Sequence, residues 1–246
     1  MLKIMRSNVR DANDDNKKFL ESKRKPGENN IQWLQRNVTR NNQGALLVML
    51  GGTGQSDFRL RIAQSHARDD MSPSHWSHVL LLGSQAKKLE SSVIQEISLE
   101  PAKGFGYPVS ANAVQEGTIE RYGDQKKYPN VALLSIPAKP ADIEVALQRF
   151  KKQRNALDAC ELVVLWLAFA WGVGRTGNPL LDGNGIPSAA MVEVVVSASG
   201  FELTPGLSSR SSCPEAIWQS ARWWHKYHTA EKRKGISGVW CVDHKL

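Results

Sequence analysis

The sequence predicts an α+β fold in which a small sheet lies beside several helices. Two observations carry this. Short apolar runs of strand length cluster in the first 140 residues, at Ala45 to Leu50, Ser77 to Leu82 and Val131 to Ile136. Helical spacing dominates the second half, around Ile143, Leu147 and Phe150 and again from Pro214 onward.

Residues 1–43 read as a polar, basic N-terminal arm, partly disordered or accessory, and 44–246 as the folded domain. Asn, Asp, Lys and Glu dominate the arm, Pro26-Gly27 breaks it, and apolar residues are sparse. Lys17, Lys18 and Lys23 to Lys25 suit either an anion-binding patch or a solvated tail. From Gly44 the texture changes. Ala45 to Leu50 is a core strand ended by Gly51-Gly52, and Ser56 or Asp57 can cap a helix carrying Phe58, Ile62 and His66 at four-residue spacing. Ser77 to Leu82 is a second core strand. In Ser92 to Leu99 the pattern alternates, which sets Val93, Ile97 and Leu99 on one face and Ile94, Glu96 and Ser98 on the other. Pro140 sits at the first turn of a helix. Leu157 to Trp171 is apolar nearly all round, so it is a deeply buried helix or one exposed to lipid. Ser188 to Ser199 is a helix ended by Gly200. Val239 to Val242 closes the chain as an edge strand.

Composition excludes several classes. Among 246 residues, 41% are hydrophobic and 23% charged, which is ordinary globular usage and rules out a disordered or fibrous chain. Lys and Arg number 32 against 24 Asp and Glu, a balance of +8 that favours an anionic polymer or lipid as partner. The three cysteines, Cys160, Cys213 and Cys241, share no ligand spacing, so neither a disulfide scaffold nor a cysteine-rich zinc site is expected. No apolar run of secretory length follows the basic first residues. The longest apolar stretch, Leu162 to Val173, falls short of the ~20 residues that span a bilayer. The chain therefore reads as free of a transmembrane segment and cytoplasmic when made, and any export is by a route without a cleaved signal.

Three local motifs have plain structural explanations. Gly51-Gly52-Thr53-Gly54 lacks the Gly-Lys-Ser/Thr of a phosphate loop and reads as a turn. His66, His75 and His78 lack carboxylates at ligand spacing, so no metal and no other cofactor is expected. Arg222 to Lys234 mixes cations with Trp223, Trp224 and Tyr227 as single-strand grooves do. An amphipathic helix with inward tryptophans explains the run as well, and nucleic acid is not the expected partner.

One constellation remains. A core strand precedes an Arg-bearing helix. Ser77-His78-Val79 then opens a buried strand, and a strand with acidic residues follows. Later, Gly183-Asn184-Gly185-Ile186-Pro187 leads into Ser188-Ala189-Ala190-Met191-Val192-Glu193, and Gly200-Phe201-Glu202-Leu203-Thr204-Pro205 follows that helix. From about Gly44 to Ser220 this order resembles the circularly permuted branch of the NlpC-type papain-like hydrolases, the branch related to lecithin retinol acyltransferase. The resemblance implies a papain-like fold with a small antiparallel sheet packed against several helices. It also implies a hydrolase or acyltransferase acting on an amide or ester through a covalent acyl intermediate, with bacterial peptidoglycan peptide or acyl lipid as substrate. His78 falls at the base. The orienting residue falls at Glu100, which Gly104-Phe105 follows at the family's interval, with Glu96 as the alternative. By the same analogy a basic chain without a signal suits an antibacterial effector of the type VI kind, with an immunity or inhibitor protein as partner.

The chemistry of that layout is sound on its own terms. A nucleophile at a helix N-terminus meets unpaired amides and the positive end of the dipole. These lower a thiol's pKa and can hold an oxyanion. Where the family has cysteine this chain has Ser188. Three readings stand: a one-atom exchange that silences a thiol enzyme, a natural serine nucleophile, or an N-cap in a non-catalytic module that binds an anionic partner. Cys160 and Cys213 read as core and helix-end residues.

Overall fold

The computed structural model describes residues 20–38, 44–83, 88–101, 107–154, 157–233 and 235–245. Among these, seven strands form one sheet: β1 (Leu20–Glu21), β2 (Ala45–Gly51), β3 (His78–Leu82), β4 (Val93–Glu96), β5 (Gln115–Thr118), β6 (Asn130–Ile136) and β7 (Ser237–Val242). Six helices accompany it: α1 (Asn30–Val38), α2 (Gln55–Ala63), α3 (Pro140–Lys152), α4 (Ala159–Trp171), α5 (Pro187–Ala198) and α6 (Pro214–Ala230). The fold is α+β, as expected, but the sheet is neither small nor wholly antiparallel. Its order is β1-β7-β6-β2-β3-β4-β5, and β1 pairs with β7 in parallel.

Alternation explains why β2 is buried along its whole length. Leu47 and Met49 point into one core with α3, α5 and α6, while Leu46, Val48 and Leu50 point into a second core on the opposite face. That second core takes in part of the segment before residue 44. Trp33 and Leu34 of α1 are fully buried in it, and the Trp33 indole donates to the Ser22 carbonyl at 2.6 Å. Arg24 is anchored too, its Nε 2.6 Å from Asp243 Oδ2 and its Nη2 2.9 Å from the Pro129 carbonyl. Lys17 and Lys18 lie outside the described residues.

Helix α2 also departs from expectation. Its N-cap is Gly54, Phe58 and Ile62 face outward, and Leu60, Arg61 and Ala63 are buried. Arg61 is tolerated inside because its guanidinium donates to the Ser74 and Gly52 carbonyls. His66 falls on a 3₁₀ turn beyond the helix. Helix α4 divides: Leu162, Val163, Trp166 and Ala170 are buried, whereas Val164 and Trp171 are exposed. In α6, Trp224 packs inward against Phe201, and Trp223 stacks on Tyr227 outside the core. Lys234 lies outside the described residues.

The antiparallel registers bring several strand ends to one place. Leu50 near the end of β2 pairs with His78 at the start of β3, Gly51 pairs with Asn130 at the start of β6, and β4 finishes nearby at Glu96. Helix α5 packs on β3 and α3 and brings its N-terminus to this same end.

Candidate active site

A cavity of about 40 Å³ lies at that end of the sheet, lined by His78, Ser188, Asp57, Tyr122, Ile186 and Glu100 among others. The sequence-predicted pair His78 and Ser188 thus share one pocket, although more than a hundred residues separate them.

His78 is held by a carboxylate, and that carboxylate is Glu96. Its Oε2 lies 2.6 Å from His78 Nε2 and accepts the Tyr122 hydroxyl at 2.5 Å, while Oε1 lies 3.2 Å from Arg121 Nη1. Burial alone raises the Glu96 pKa. The hydrogen bond and charge of His78, with Tyr122 and Arg121, outweigh burial and hold the carboxyl below its ordinary range. An ionised carboxylate only accepts, so Nε2 of His78 carries the hydrogen. Nδ1 is the ring nitrogen outside that contact.

Glu100, the preferred orienting residue from the sequence, does not reach the ring. Continuing the alternation of Ser92 to Leu99 would put Glu100 on the Glu96 face, but β4 ends at Glu96, and past a strand end period two no longer fixes side-chain direction. Glu100 sits at the pocket mouth, half-exposed, with Oε2 3.0 Å from Lys127 Nζ. Gly104 and Phe105, which carried that choice, lie outside the described residues.

Ser188 occupies the second position of α5, after Pro187. The N-cap is Ile186, whose side chain caps nothing, so Ser188 is not the cap that a purely structural reading assigned to it. The approach to the helix is pinned. Gly185 N–H donates to the Arg210 carbonyl at 2.7 Å, Ile186 N–H to the Ser212 carbonyl at 2.9 Å, and the Trp166 indole to the Gly185 carbonyl at 2.7 Å. A Cβ on Gly185 would lie 2.4 Å from the Ser212 carbonyl oxygen, so the close approach requires glycine. The Ser188 hydroxyl is 1% exposed and has no hydrogen-bond partner among the described residues.

Asp57 adds a second carboxylate to the pocket. Burial raises its pKa against the opposing hydrogen bond from Ser77 Oγ, 2.5 Å from Oδ1. Ser77 Oγ in turn accepts the Gly52 N–H at 3.1 Å, and the Asp57 carboxylate fills the space a Cβ on Gly52 would take. Sequence reading saw Asp57 only as a possible cap and missed Arg121 and Tyr122. No local motif marks those two, because a 3₁₀ turn at Ile119–Tyr122 delivers them from the far side of β5.

The remaining sequence candidates do not join the site. His75 is largely buried, and burial, with Arg68 and Arg61, lowers its pKa to about 4, so it stays neutral. Among the described residues no three His, Cys, Asp or Glu groups come together as a metal site. Burial pushes the Cys213 thiol up to about 12 and raises that of Cys160, which makes both poor nucleophiles. Comparison with protein-family models, with curated proteins and with solved structures finds no match to this chain, so its own geometry is what speaks for its chemistry.

Proposed function

We propose that the chain is a papain-like hydrolase or acyltransferase of the permuted NlpC type, acting on an amide or ester, with Ser188 standing at the nucleophile position, His78 as base and Glu96 as orienting group. The observation that carries this reading is the buried, unpartnered Ser188 hydroxyl, which shares a pocket with a histidine held through Nε2 by an ionised glutamate.

The steps follow from that arrangement. The nucleophile attacks the substrate carbonyl carbon and its proton passes to His78 Nδ1. Amides of the first turn of α5, which have no intrahelical acceptor, face the developing oxyanion. As the carbon–nitrogen or carbon–oxygen bond breaks, His78 returns the proton to the leaving group. Water, deprotonated by the same ring, then releases the acyl group.

The lone hydroxyl favours cysteine chemistry over serine chemistry. A serine nucleophile works through a hydrogen bond to its base, and Ser188 makes none. A thiol is a weak donor that tolerates burial without a partner and is larger, so the same position suits sulfur. The test is Ser188→Cys, assayed on purified peptidoglycan and on phospholipid vesicles, with the iodoacetamide labelling rate followed against pH. The proposal expects a thiolate forming well below the ordinary ~8.5, and product formation that His78→Ala abolishes. An ordinary thiol pKa together with no product from either substrate would refute it in favour of a binding module on this scaffold.

A further inference from the structure

Four apolar side chains that a folded chain normally hides stand in solvent beside the site. Val164 and Trp171 of α4, Val173 just after it, and Leu181 in the 3₁₀ turn Pro179–Asp182 are 59–70% exposed. Phe58 and Ile62 of α2 are 44% exposed and continue the surface. The elements are tied together. Arg59 Nη1 donates to the Phe169 carbonyl at 2.8 Å and lies against Gly172, and Asn178 Nδ2 donates to the Ala63 carbonyl at 2.8 Å. Beneath them lies one small core containing Leu60, Trp166, Leu180 and Ile186.

Local sequence accounts for the protrusion. The outward stripe of α4 runs Val164, Ala168, Trp171 with no charge after Glu161, where a solvated helix places polar residues. Gly172 and Gly174 both take positive φ, +69° and +65°, and the knuckle between them projects Val173. Arg175 follows immediately and is exposed, and Arg210 borders the helix through its 3.6 Å ion pair with Glu161.

We propose that this face seats the protein on the surface of an anionic phospholipid bilayer, with Trp171 and Val173 entering the headgroup region and Arg59, Arg175 and Arg210 bordering it. Charge complementarity selects this occupant. With the pocket-lining Asp57 and the buried Arg61 of α2 offsetting each other, Arg59, Arg175 and the bordering Arg210 stand against Glu161 and Asp182, and the chain carries +8. Tryptophan beside arginine suits the bilayer interface, where an apolar body meets a wet, negative rim. At thirteen residues α4 reaches only about 20 Å, against ~30 Å of hydrocarbon, so it lies at the interface without crossing. The face also adjoins the pocket: Ser56, Asp57 and Leu60 of α2 line the cavity while Phe58 and Ile62 of the same helix point outward.

Binding is independent of the proposed chemistry and is tested without turnover. The whole chain is sedimented with vesicles of phosphatidylcholine and phosphatidylglycerol in equal parts, and with phosphatidylcholine alone, at 0.15 M salt. Wild type is expected to partition to the anionic vesicles. The triple variant Val164→Ser, Trp171→Ala, Val173→Ser should bind at least about tenfold more weakly with an unchanged melting temperature. Arg175→Glu should weaken anionic binding specifically. Wild type remaining in the supernatant, or a triple variant that binds equally well, would overturn the proposal. A wild-type dimer that the same variant turns into monomer would assign the face to a second copy and overturn it too.

Discussion

Removing the Ser188 hydroxyl should make the protein more stable. A buried hydroxyl without a hydrogen-bond partner carries an uncompensated desolvation penalty of about 1–3 kcal/mol, and Ser188 Oγ is such a group among the described residues. Ser188→Ala relieves that penalty and leaves no former partner orphaned. The void left by one oxygen, on the order of 10 Å³, costs only about 0.2 kcal/mol at ~24 cal/mol per Å³. Alanine is also the better helix former, by a few tenths of a kcal/mol. The net gain is about 1–3 kcal/mol, or a rise in melting temperature of roughly 2–10 °C for a domain of this size. Urea and thermal unfolding of the two proteins measure it directly. Ser188→Cys should keep most of the gain, since a thiol buries at little cost. A Ser188→Ala protein less stable than wild type would show that the hydroxyl is bonded in solution, and the inference from its isolation would fail.

The other predictions concern the groups around it. In the Ser188→Cys background, Glu96→Gln should cost about 10²–10⁴-fold in turnover by unsettling the His78 tautomer, whereas Glu100→Gln, which breaks only a surface pair with Lys127, should stay within about twofold. The pair separates the two carboxylates in one assay. Gly185→Ala drives a Cβ into two backbone carbonyls and dislodges the strap before α5, so it should lose about 2–4 kcal/mol, read by unfolding. Glu193, 3% exposed on α5, has a pKa raised by burial to about 7, against the pull of Thr204 and Ser212. The folded state holds this proton where the unfolded state has lost it, so the stability it lends is complete below the ordinary value near 4.5 and drains away as pH rises to about 7. Glu193→Gln should therefore gain on wild type across that window, by on the order of 3 kcal/mol at pH 8, and a parallel pair of stability curves would refute the assignment.

Some of this was legible in the sequence, for a physical reason. Ala45 to Leu50, Ser77 to Leu82 and Val131 to Ile136 are strands buried on both faces, and such strands appear as unbroken apolar runs whatever their neighbours. His78 and Ser188 sit at element starts marked by a strand boundary and by Pro187. What escaped was set by tertiary contact. Helix α1 earns its place through Trp33, Leu34 and Val38, with Ile31 packed on the same core, and the amide nitrogen of its buried Asn30 donates to the Tyr122 and Tyr128 carbonyls, partners some ninety residues away. In β5, Gln-Glu-Gly-Thr has no apolar pattern at all and exists as a strand through its ladder with β4. Four-residue spacing in α2 pointed to Phe58 and Ile62 as the inner face, yet Arg61 went inside and they did not. That inversion left α2 with two apolar side chains in water.

Helix α5 carries a cost in stability that bears on the proposed site. It is buried on nearly every side, and Ser188 and Glu193 are the polar groups sealed into its first two turns. Both oppose stability, but in different ways. Glu193 can shed its charge by keeping a proton, and it has the Ser212 hydroxyl 3.4 Å away. Ser188 has no such relief. A core built for stability alone would place alanine there, as it does at 189 and 190, whereas under the proposed function a polar atom at 188 is kept at a cost in stability. Ser188 and His78 both line the cavity at this end of the sheet, and Glu96 holds the ring from behind. Stability lost at Ser188 and reactivity gained at 188 as cysteine are therefore two measurements of one arrangement, and they should move together. A Ser188→Ala protein that is stabilised, beside a Ser188→Cys protein with an ordinary thiol pKa, would separate them and leave the pocket a packing defect.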